Sequence, residues 1–377
     1  MAKLQLTLGD VEIGKPLPFE LKDQAGRILL NAGYVIPDRA QLERLVDRGV
    51  FFDALEDPAA IGRMAERISV YRLVVEAADE YAELVARPFD AAALAGIHKV
   101  AQEIEKLCAL DADASLAFIL LHKETRYSVR HGFATAILTE VLMRELNQDA
   151  AEVRRAVAAA LCMNLCMLEL QDELYRQELA LSLEQKQAVV LHPQRAGQLL
   201  ASVGCADAAL IAIVEDHHEL INGAGYARRK QAAELGIATQ VVSLADRFCA
   251  VASERAYRPA TAPSVAARDL LSRQAATINT MLAAHFLKVI GVYPPGAVVT
   301  LANGEIAVVV RRTLHPLQPV VRSLRSRNGI RYPQPPKRLT SKESYAIAAP
   351  AGCEHLQGVD LASLWPPVDT DDENPEP

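Results

Sequence analysis

The sequence predicts a mainly α fold, in which a helical bundle is flanked by small β-rich modules at its N-terminal and C-terminal ends. Apolar residues make up 51% of the 377 residues, which is enough to bury a large core. Aromatic residues are only 5%, and Ala, Leu and Val dominate, a composition that favours packed helices. From residue 60 to about residue 290 apolar residues recur at helical spacing, whereas both flanking regions alternate short apolar runs with turn residues.

The first module, residues 1–56, carries the pattern of a small β-rich unit. Asp23-Gln24-Ala25-Gly26 separates the apolar run at 17–21 from Ile28–Leu30, which predicts a β-hairpin. Pro37-Asp38 then opens a short helix that ends near Gly49. A structural cap and a sensory or partner-binding input domain are both compatible with this module.

The helical domain, residues 60–290, is predicted to contain a central helix that is buried on all sides. Residues 153–170 are apolar nearly all round, which indicates one uninterrupted buried helix. His192-Pro193 marks the start of a helix after a loop. Further helices are expected at 61–86, 91–110, 129–146, 209–219 and 238–254.

The C-terminal part of the chain returns to a strand pattern. The two runs 298–301 and 306–310 flank Asn303-Gly304, which predicts a β-hairpin within a small β appendage over residues 291–350. Residues 366–377 form an acidic, proline-bearing tail that is expected to be disordered.

Composition also excludes several functional classes. The net charge of −7 argues against binding to a nucleic-acid polymer through overall charge. No apolar run is long enough to cross a bilayer, and the N-terminus lacks the layout of a signal peptide. The six cysteines lie mostly in apolar helical contexts, which indicates reduced thiols in a cytoplasmic protein.

Histidines and one aspartate recur in an order that indicates a metal centre. The candidate metal ligands are His131, His192, His217, His218 and Asp246. Imidazole and carboxylate groups together suit Fe, Mn or Zn. The adjacent His217 and His218 would point in different directions. Both can therefore ligate only if two ions, or one ion and a substrate phosphate, lie nearby.

In this order and at these intervals the residues resemble the HD-GYP family over residues 120–312. The resemblance includes Asn222-Gly223-Ala224-Gly225-Tyr226, Ser243-Leu244-Ala245-Asp246, and the trailer that runs from Ile290 through Asn303-Gly304-Glu305. It implies an HD-type helical bundle and a bacterial signalling phosphodiesterase that hydrolyses cyclic di-GMP with two divalent metals.

The resemblance also assigns roles to the candidate residues. It implies that His192, His217 and His218 hold one metal, and that His131 and Asp246 hold the other. A His-Asp pair would complete the site, because its aspartate bridges both ions. Tyr226, Arg255 and Arg258 match positions that the family uses near the cyclic dinucleotide. The glycine-tyrosine loop also implies a signalling partner such as a diguanylate cyclase.

The chain departs from the family where hydrolysis depends on it most. Met163 and Asn164 stand in place of the His-Asp pair, and Met167 replaces a lysine that contacts phosphate. The asparagine amide is neutral and offers one acceptor oxygen, and a thioether is a poor ligand for these cations. Tyr127 stands where some members carry a glutamate for a third metal, so a three-metal site is not expected. Ala227 replaces the proline of the glycine-tyrosine-proline loop.

Two interpretations of Cys162 and Cys166 remain. In the first, the two cysteines lie on one face of the predicted helix at i and i+4 and act as replacement ligands that favour zinc. The alternative is two small buried side chains in an apolar helix, which free cysteines commonly are.

Three functions are compatible with these observations. The first is a catalytically impaired member that acts as a cyclic di-GMP receptor or protein-interaction module and holds one divalent metal, while the second metal is weak or absent. The second is an active metal-dependent phosphodiesterase with an altered metal site. The third is a structural scaffold without a ligand. We expect the first, because the losses fall on the shared carboxylate and spare the three-histidine side.

Overall fold

The computed structural model describes residues 3–6, 10–11, 13–17, 19–53, 69–226, 228–253 and 275–366, together with 265, 267, 270 and 272. It confirms the mainly α class, with a helical bundle and small antiparallel sheets at each end. Within the described residues, no helix is long and apolar enough to cross a membrane. The helix predicted at 61–86 is confirmed over Val70–Val85, while its first residues, 61–68, and the predicted tail beyond residue 366 lie outside the described residues.

The N-terminal module is a four-stranded antiparallel sheet with one helix. Its elements are β1 (Lys3–Gln5), β2 (Leu21–Lys22), β3 (Ile28–Leu30), α1 (Arg39–Asp47) and β4 (Phe51–Asp53), in the sheet order β1-β4-β2-β3. The predicted hairpin is confirmed, since β2 pairs with β3. The helix α1 begins where predicted, because the Asp38 side chain accepts the N–H of Gln41. Stacked rings of Phe19 and Phe52, 3.9 Å apart, fill the core of the module.

The helical bundle follows, and its helices start at side-chain caps in most cases. The helices are α2 (Val70–Val85), α3 (Ala91–Leu110), α4 (Ala112–Leu121), α5 (Tyr127–Glu145), α6 (Ala150–Cys162), α7 (Leu168–Arg176), α8 (Leu183–Ser202), α9 (Ala208–Asp216), α10 (Ile237–Ala252) and α11 (Thr280–Ile290). Aspartates cap α3, α4, α6 and α9 by accepting backbone N–H groups of the first turn. The helix α5 lies at the centre, packed against α6 and α10.

The prediction of one helix over 153–170 was wrong. The helix α6 ends at Cys162, the chain turns at Met163-Asn164, and a 3₁₀ turn over Leu165–Met167 leads into α7. Apolar composition cannot reveal such a break, but Asn164 marks it, because a short polar side chain disfavours a helix interior. The break separates Cys162, which is buried, from Cys166, which is exposed, so these cysteines do not share a helix face.

The prediction that His192-Pro193 starts a helix was also wrong, because both residues lie inside α8. That helix starts earlier, at a capping box in which the Ser182 hydroxyl accepts the N–H of Gln185 and the Gln185 side chain accepts the N–H of Ser182. This start signal outweighs the proline, whose missing N–H costs the helix only one hydrogen bond.

The C-terminal appendage is a five-stranded antiparallel sheet in the order β8-β7-β6-β5-β9. Its strands are β5 (Val298–Leu301), β6 (Ile306–Arg311), β7 (Val320–Arg325), β8 (Lys337–Leu339) and β9 (Ile347–Pro350). The predicted β5–β6 hairpin is confirmed, and Gly304 takes the positive φ of +85° that its turn requires. Ion pairs from Arg311 to Asp111 and from Arg312 to Asp113 fix the sheet to the start of α4.

Candidate metal centre

The five predicted metal ligands come from four helices and converge on one cavity. His131 lies on α5, His192 on α8, His217 and His218 at the end of α9, and Asp246 on α10. The cavity has a volume of about 460 Å³, and His131, His192, His218 and Asp246 line it together with Tyr226. His217 lies behind them and is fully buried.

The proline after His192 explains how this imidazole is oriented. Pro193 has no N–H, so the carbonyl of Val189, one turn earlier, lacks its usual helical partner. The imidazole Nδ1 of His192 takes that place and donates to the Val189 oxygen at 2.6 Å. Because a carbonyl can only accept, Nδ1 carries the proton and Nε2 is left as a lone-pair donor for a metal.

His217 is held in the same way at the end of a helix. Its Nδ1 donates to the carbonyl of Val214 at 2.7 Å, one of the carbonyls that the end of α9 leaves without a helical partner. Its Nε2 therefore also presents a lone pair, and it lies 3.2 Å from the Nε2 of His192. Two acceptor nitrogens at this distance repel each other unless a cation or a proton lies between them or beside them.

His218 completes a group of three imidazoles with His192 and His217, whose ligand atoms lie within 4.8 Å of one another. Its ring centroid lies 4.1 Å from that of His217 and 5.1 Å from that of His192. On its other side the Tyr226 ring stacks on it, with the centroids 4.6 Å apart. Three imidazole nitrogens are a common protein contribution to a single zinc-like ion. The two adjacent histidines can thus serve one ion, contrary to the expectation that a second ion or a substrate phosphate is needed.

All three imidazoles favour the neutral form that binds metals. Burial, reinforced by the charge of His217, lowers the pKa of His192 to about 3. Burial likewise lowers the pKa of His217, and it lowers that of His218 well below 6.5. Desolvation of the charged form is the dominant cause in each case. Near neutral pH each imidazole is therefore uncharged and keeps one nitrogen lone pair, and the three together fit a divalent metal.

His131 and Asp246 form a separate pair beside this group. The Nε2 of His131 lies 2.8 Å from Oδ1 of Asp246, and both side chains are largely buried. Burial alone would raise the pKa of Asp246, but the hydrogen bond from His131 and the neighbouring imidazoles hold it below its usual range. The carboxylate is therefore ionised, and its Oδ2 lies 3.9 Å from Nδ1 of His218. This contact places an anionic group next to the three histidines.

The substituted positions 163, 164 and 167 differ in how they face the cavity. Asn164 lines it and is 6% exposed, and its Oδ1 atom has no hydrogen-bond partner among the described residues. Met167 also lines the cavity and presents a thioether. Met163 is fully buried and is absent from the described residues that line the cavity. The amide of Asn164 thus contributes an acceptor oxygen, but no charge, to the wall of this cavity.

Glu219 fixes the loop that carries Tyr226. Its carboxylate is 2% exposed and accepts three successive backbone N–H groups, those of Arg228 and Arg229 on Oε1 and that of Lys230 on Oε2. The Tyr226 N–H bonds the carbonyl of His218 at 3.3 Å. Tyr226 is therefore positioned over His218 by backbone contacts that Glu219 organises.

Asp216 and Gly225 complete the anchoring of this loop. The side chains of Arg228 and Lys230 both pair with Asp216 at the end of α9. A Cβ at Gly225 would lie 2.5 Å from the Cα of Glu219 and from the N of Leu220, so only glycine allows this approach.

Several contacts around the cavity gave no sequence signal. Tyr127 lines the cavity and stacks on His131, and it also stacks on Tyr175, which does not line it, with the ring centroids 4.5 Å apart. Most of the remaining wall comes from α7 and the segment after it, namely Gln171, Leu174, Gln177, Glu178, Leu179, Ala180 and Leu181. Only contacts between distant segments bring these residues to the site. The predicted nucleotide-binding residues Arg255 and Arg258 lie outside the described residues.

Comparison with known proteins agrees with this architecture. The family model described as HD domain matches residues 115–279. Cyclic di-GMP phosphodiesterase PA4108 from Pseudomonas aeruginosa is 24% identical over 200 residues, which cover 53% of this chain and 48% of that protein. The 3'3'-cGAMP-specific phosphodiesterase 3 from Vibrio cholerae is 26% identical over 141 residues, which cover 37% of this chain and 30% of that protein. The matches thus span less than half the length of each relative.

A solved structure shares the fold. It is that of Bd1817, described as a HDG"Y"P protein from Bdellovibrio bacteriovorus, and it superposes with a TM-score of 0.51 at 15% identity. The superposition covers 76% of this chain and 99% of that one. At this identity the likeness supports the helical fold alone.

Proposed function

We propose that the chain is an HD-domain protein of the HD-GYP type that acts in cyclic di-GMP signalling, holds one divalent metal and recognises the nucleotide without efficient hydrolysis. The observation that carries this proposal is the asymmetry of the cavity. The ligand atoms of His192, His217 and His218 lie within 4.8 Å of one another, whereas Asn164 contributes only a neutral amide to the cavity wall. A receptor or a protein-interaction module is the role that such a site supports.

The three-histidine side suits one metal of the Fe, Mn or Zn type. Its three imidazoles are neutral, backbone carbonyls orient those of His192 and His217, and the Asp246 carboxylate lies nearby. Hydrogen bonds that fix the tautomer of a ligating histidine increase its basicity and hold its ring in place. Such an ion would supply a positive charge that attracts a phosphodiester oxygen.

The other side lacks what a second ion needs. His131 and Asp246 remain, but Asn164 offers one neutral oxygen where the family has a bridging carboxylate, and Met163 is buried away from the cavity. Hydrolysis in this class depends on two ions that clamp the phosphodiester and activate the attacking water. With one ion expected and a methionine in place of the phosphate-facing lysine, turnover should be strongly reduced.

Recognition depends on groups that these substitutions leave in place. Tyr226 lines the cavity and is held by the Glu219-anchored loop. The volume of about 460 Å³ is within the range for small-ligand sites. The two curated relatives are named for hydrolysis of cyclic di-GMP and 3'3'-cGAMP, and a cyclic dinucleotide is accordingly the ligand we propose. Arg255 and Arg258 are proposed as its additional contacts, because Arg binds phosphate bidentately and stacks on guanine.

Calorimetric titration with cyclic di-GMP tests recognition, and metal analysis of the same sample tests the ion. We expect saturable nucleotide binding and one metal per chain. His217→Ala should lose the metal, and Tyr226→Ala should weaken nucleotide binding while the metal stays. If the wild-type chain binds metal but no nucleotide, only the role in protein interaction, for instance with a diguanylate cyclase, survives. If it binds neither, a structural scaffold is the better account.

One observation favours an active enzyme with an altered site as the second candidate. The Oδ1 of Asn164 is buried, lacks a hydrogen-bond partner among the described residues and lies on the cavity wall where a metal could use it. Turnover of cyclic di-GMP with added manganese or iron under reducing conditions would establish this candidate, provided that it disappears in His217→Ala.

A further inference from the structure

A second cavity lies between the helical bundle and the C-terminal sheet, and it is separate from the histidine cavity. Its volume is about 370 Å³, which suits a small molecule. One wall comes from the bundle, with Phe118, Ala134 and Cys249. Another part of the lining comes from the appendage, with Tyr293 and Pro350 among its residues. The appendage therefore does more than cover the bundle, since it supplies part of the wall of this cavity.

Aromatic side chains are concentrated around this cavity. They make up only 5% of the chain, yet Phe118, Tyr175 and Tyr293 line the cavity together with the imidazole of His122. The His122 ring stacks on Phe118 with the centroids 4.6 Å apart. Faces of this kind favour a flat aromatic occupant, because stacked rings gain more than the burial of equal apolar area.

Positive charge gathers on the same cavity. Arg130 and Lys123 line it, and Glu354 is the only carboxylate among the described lining residues. The guanidinium of Arg130 lies 5.5 Å from the centre of the Tyr127 ring and 5.1 Å from that of Tyr175. Its Nη1 also donates to the carbonyl of Lys123 at 3.5 Å. An arginine held in this way loses little side-chain entropy when it binds an anion.

We propose that this cavity is a second binding site, which takes a purine nucleoside monophosphate. The base would lie among the aromatic residues of the two walls, and the phosphate would pair with Arg130 and Lys123. The proposal does not depend on the metal, because neither His192, His217 nor His218 lines this cavity. His131 lines both cavities, and Tyr175, which lines this one, stacks on Tyr127, which lines the other. The two sites are thus neighbours that share a wall.

Calorimetric titration of the full chain with GMP, after removal of divalent metal with a chelator, tests the proposal. We expect one GMP per chain. Arg130→Ala should weaken its binding by about tenfold or more, the loss expected for one charged hydrogen-bonding contact. Arg126→Ala is the matched control, because Arg126 is the N-cap residue of the same helix and does not line the cavity. This variant should bind GMP as the unaltered chain does. Guanosine should bind more weakly than GMP by a similar factor.

A second variant is needed because Arg130 also packs against the rings of Tyr127 and Tyr175, so that Arg130→Ala can disturb the fold. Tyr293→Leu changes the sheet side of the cavity and should weaken GMP binding with an unchanged melting temperature. Retained binding in both Arg130→Ala and Tyr293→Leu would overturn the proposal, as would loss of binding in His218→Ala. Equal affinity for guanosine and GMP, or the absence of GMP binding, would also contradict it. None of these outcomes decides whether cyclic di-GMP binds at the histidine cavity.

Discussion

The Nε2 atoms of His192 and His217 face each other across 3.2 Å, and each imidazole donates its Nδ1–H to a carbonyl one turn earlier in its own helix. The carbonyl of Val189, which orients His192, has no helical partner because Pro193, four residues later, lacks an N–H. The pair thus presents two lone pairs at one point, with His218 beside them. This arrangement is the strongest structural reason to expect a metal here.

Metal stoichiometry should distinguish the two sides of the site. We expect His217→Ala to weaken binding of manganese, iron or zinc by on the order of a hundredfold or more, since it removes a ligand rather than a supporting group. His131→Ala should retain the ion, because His131 pairs with Asp246 instead. Elemental analysis of both variants after dialysis checks this. Equal metal loss in the two variants would mean that the ion is shared across the whole site.

Restoring the lost groups should restore a second ion. The triple change Met163→His, Asn164→Asp and Met167→Lys returns a carboxylate to the cavity wall where the neutral Asn164 amide now lies. We expect metal content to rise from one ion to two, and hydrolysis of cyclic di-GMP to rise on the order of a hundredfold. Asn164→Ala with the same two accompanying changes is the matched control, and it should gain neither. Two ions in the unaltered chain would show that the amide suffices.

Acid should destabilise the metal-free chain in a defined pH range. The pKa of His192 is about 3 in the folded chain, against 6.5 as the ordinary value. Above pH 6.5 both states are neutral and the stability is complete. Between pH 6.5 and pH 3 only the unfolded chain takes up the proton, so the free energy of unfolding decreases as the pH is lowered. At pH 4.5, two pH units below the ordinary value, this histidine alone should cost about 2.7 kcal/mol of the free energy of unfolding.

Urea denaturation at pH 7.5 and pH 4.5 measures this effect. His192→Gln should reduce the pH dependence, whereas a change of the exposed His98 to Gln should leave it as it is. If His192→Gln behaves like His98→Gln, then desolvation of His192 does not govern the acid response.

The loop that carries Tyr226 should be sensitive at two positions. Glu219→Ala leaves three backbone N–H groups without their acceptor, which should cost on the order of 3 kcal/mol. Gly225→Ala should also destabilise the loop, because its Cβ would meet backbone atoms at 2.5 Å. Gly236→Ala is the matched control, since a Cβ there meets nothing within 4 Å.

Hydrogen exchange of the amides of residues 228–230 reports on the Glu219 contact directly. We expect much faster exchange in Glu219→Ala and unchanged exchange in Gly236→Ala. Unchanged protection in Glu219→Ala would contradict the role that we give to this carboxylate.

Sequence periodicity and capping predicted most of the fold, because both depend on neighbouring residues. The two hairpins and the start of α1 follow from turn residues and an aspartate cap. The break at Met163-Asn164 could not be predicted in this way, because an apolar stretch has the same composition whether the helix continues or turns. The prediction of a helix start at Pro193 was wrong because the capping box at Ser182–Gln185 starts the helix about three turns earlier.

The candidate site was predictable where it resembles a known pattern and not where it is built by packing. The order of His131, His192, His217, His218 and Asp246 along the chain was sufficient to name them, and the structure brings them to one cavity. The Tyr127–Tyr175 stack joins two helices, and no local pattern encodes it. The role of Glu219 likewise depends on a loop that folds back onto it.

Incubation of the manganese- or iron-loaded chain with an excess of cyclic di-GMP, followed by chromatographic separation of the nucleotides, distinguishes recognition from hydrolysis. We expect the cyclic dinucleotide to stay intact while it binds saturably to the same sample. Formation of linear dinucleotide or GMP over repeated turnovers, which disappears in His217→Ala, would contradict this expectation and establish an active phosphodiesterase.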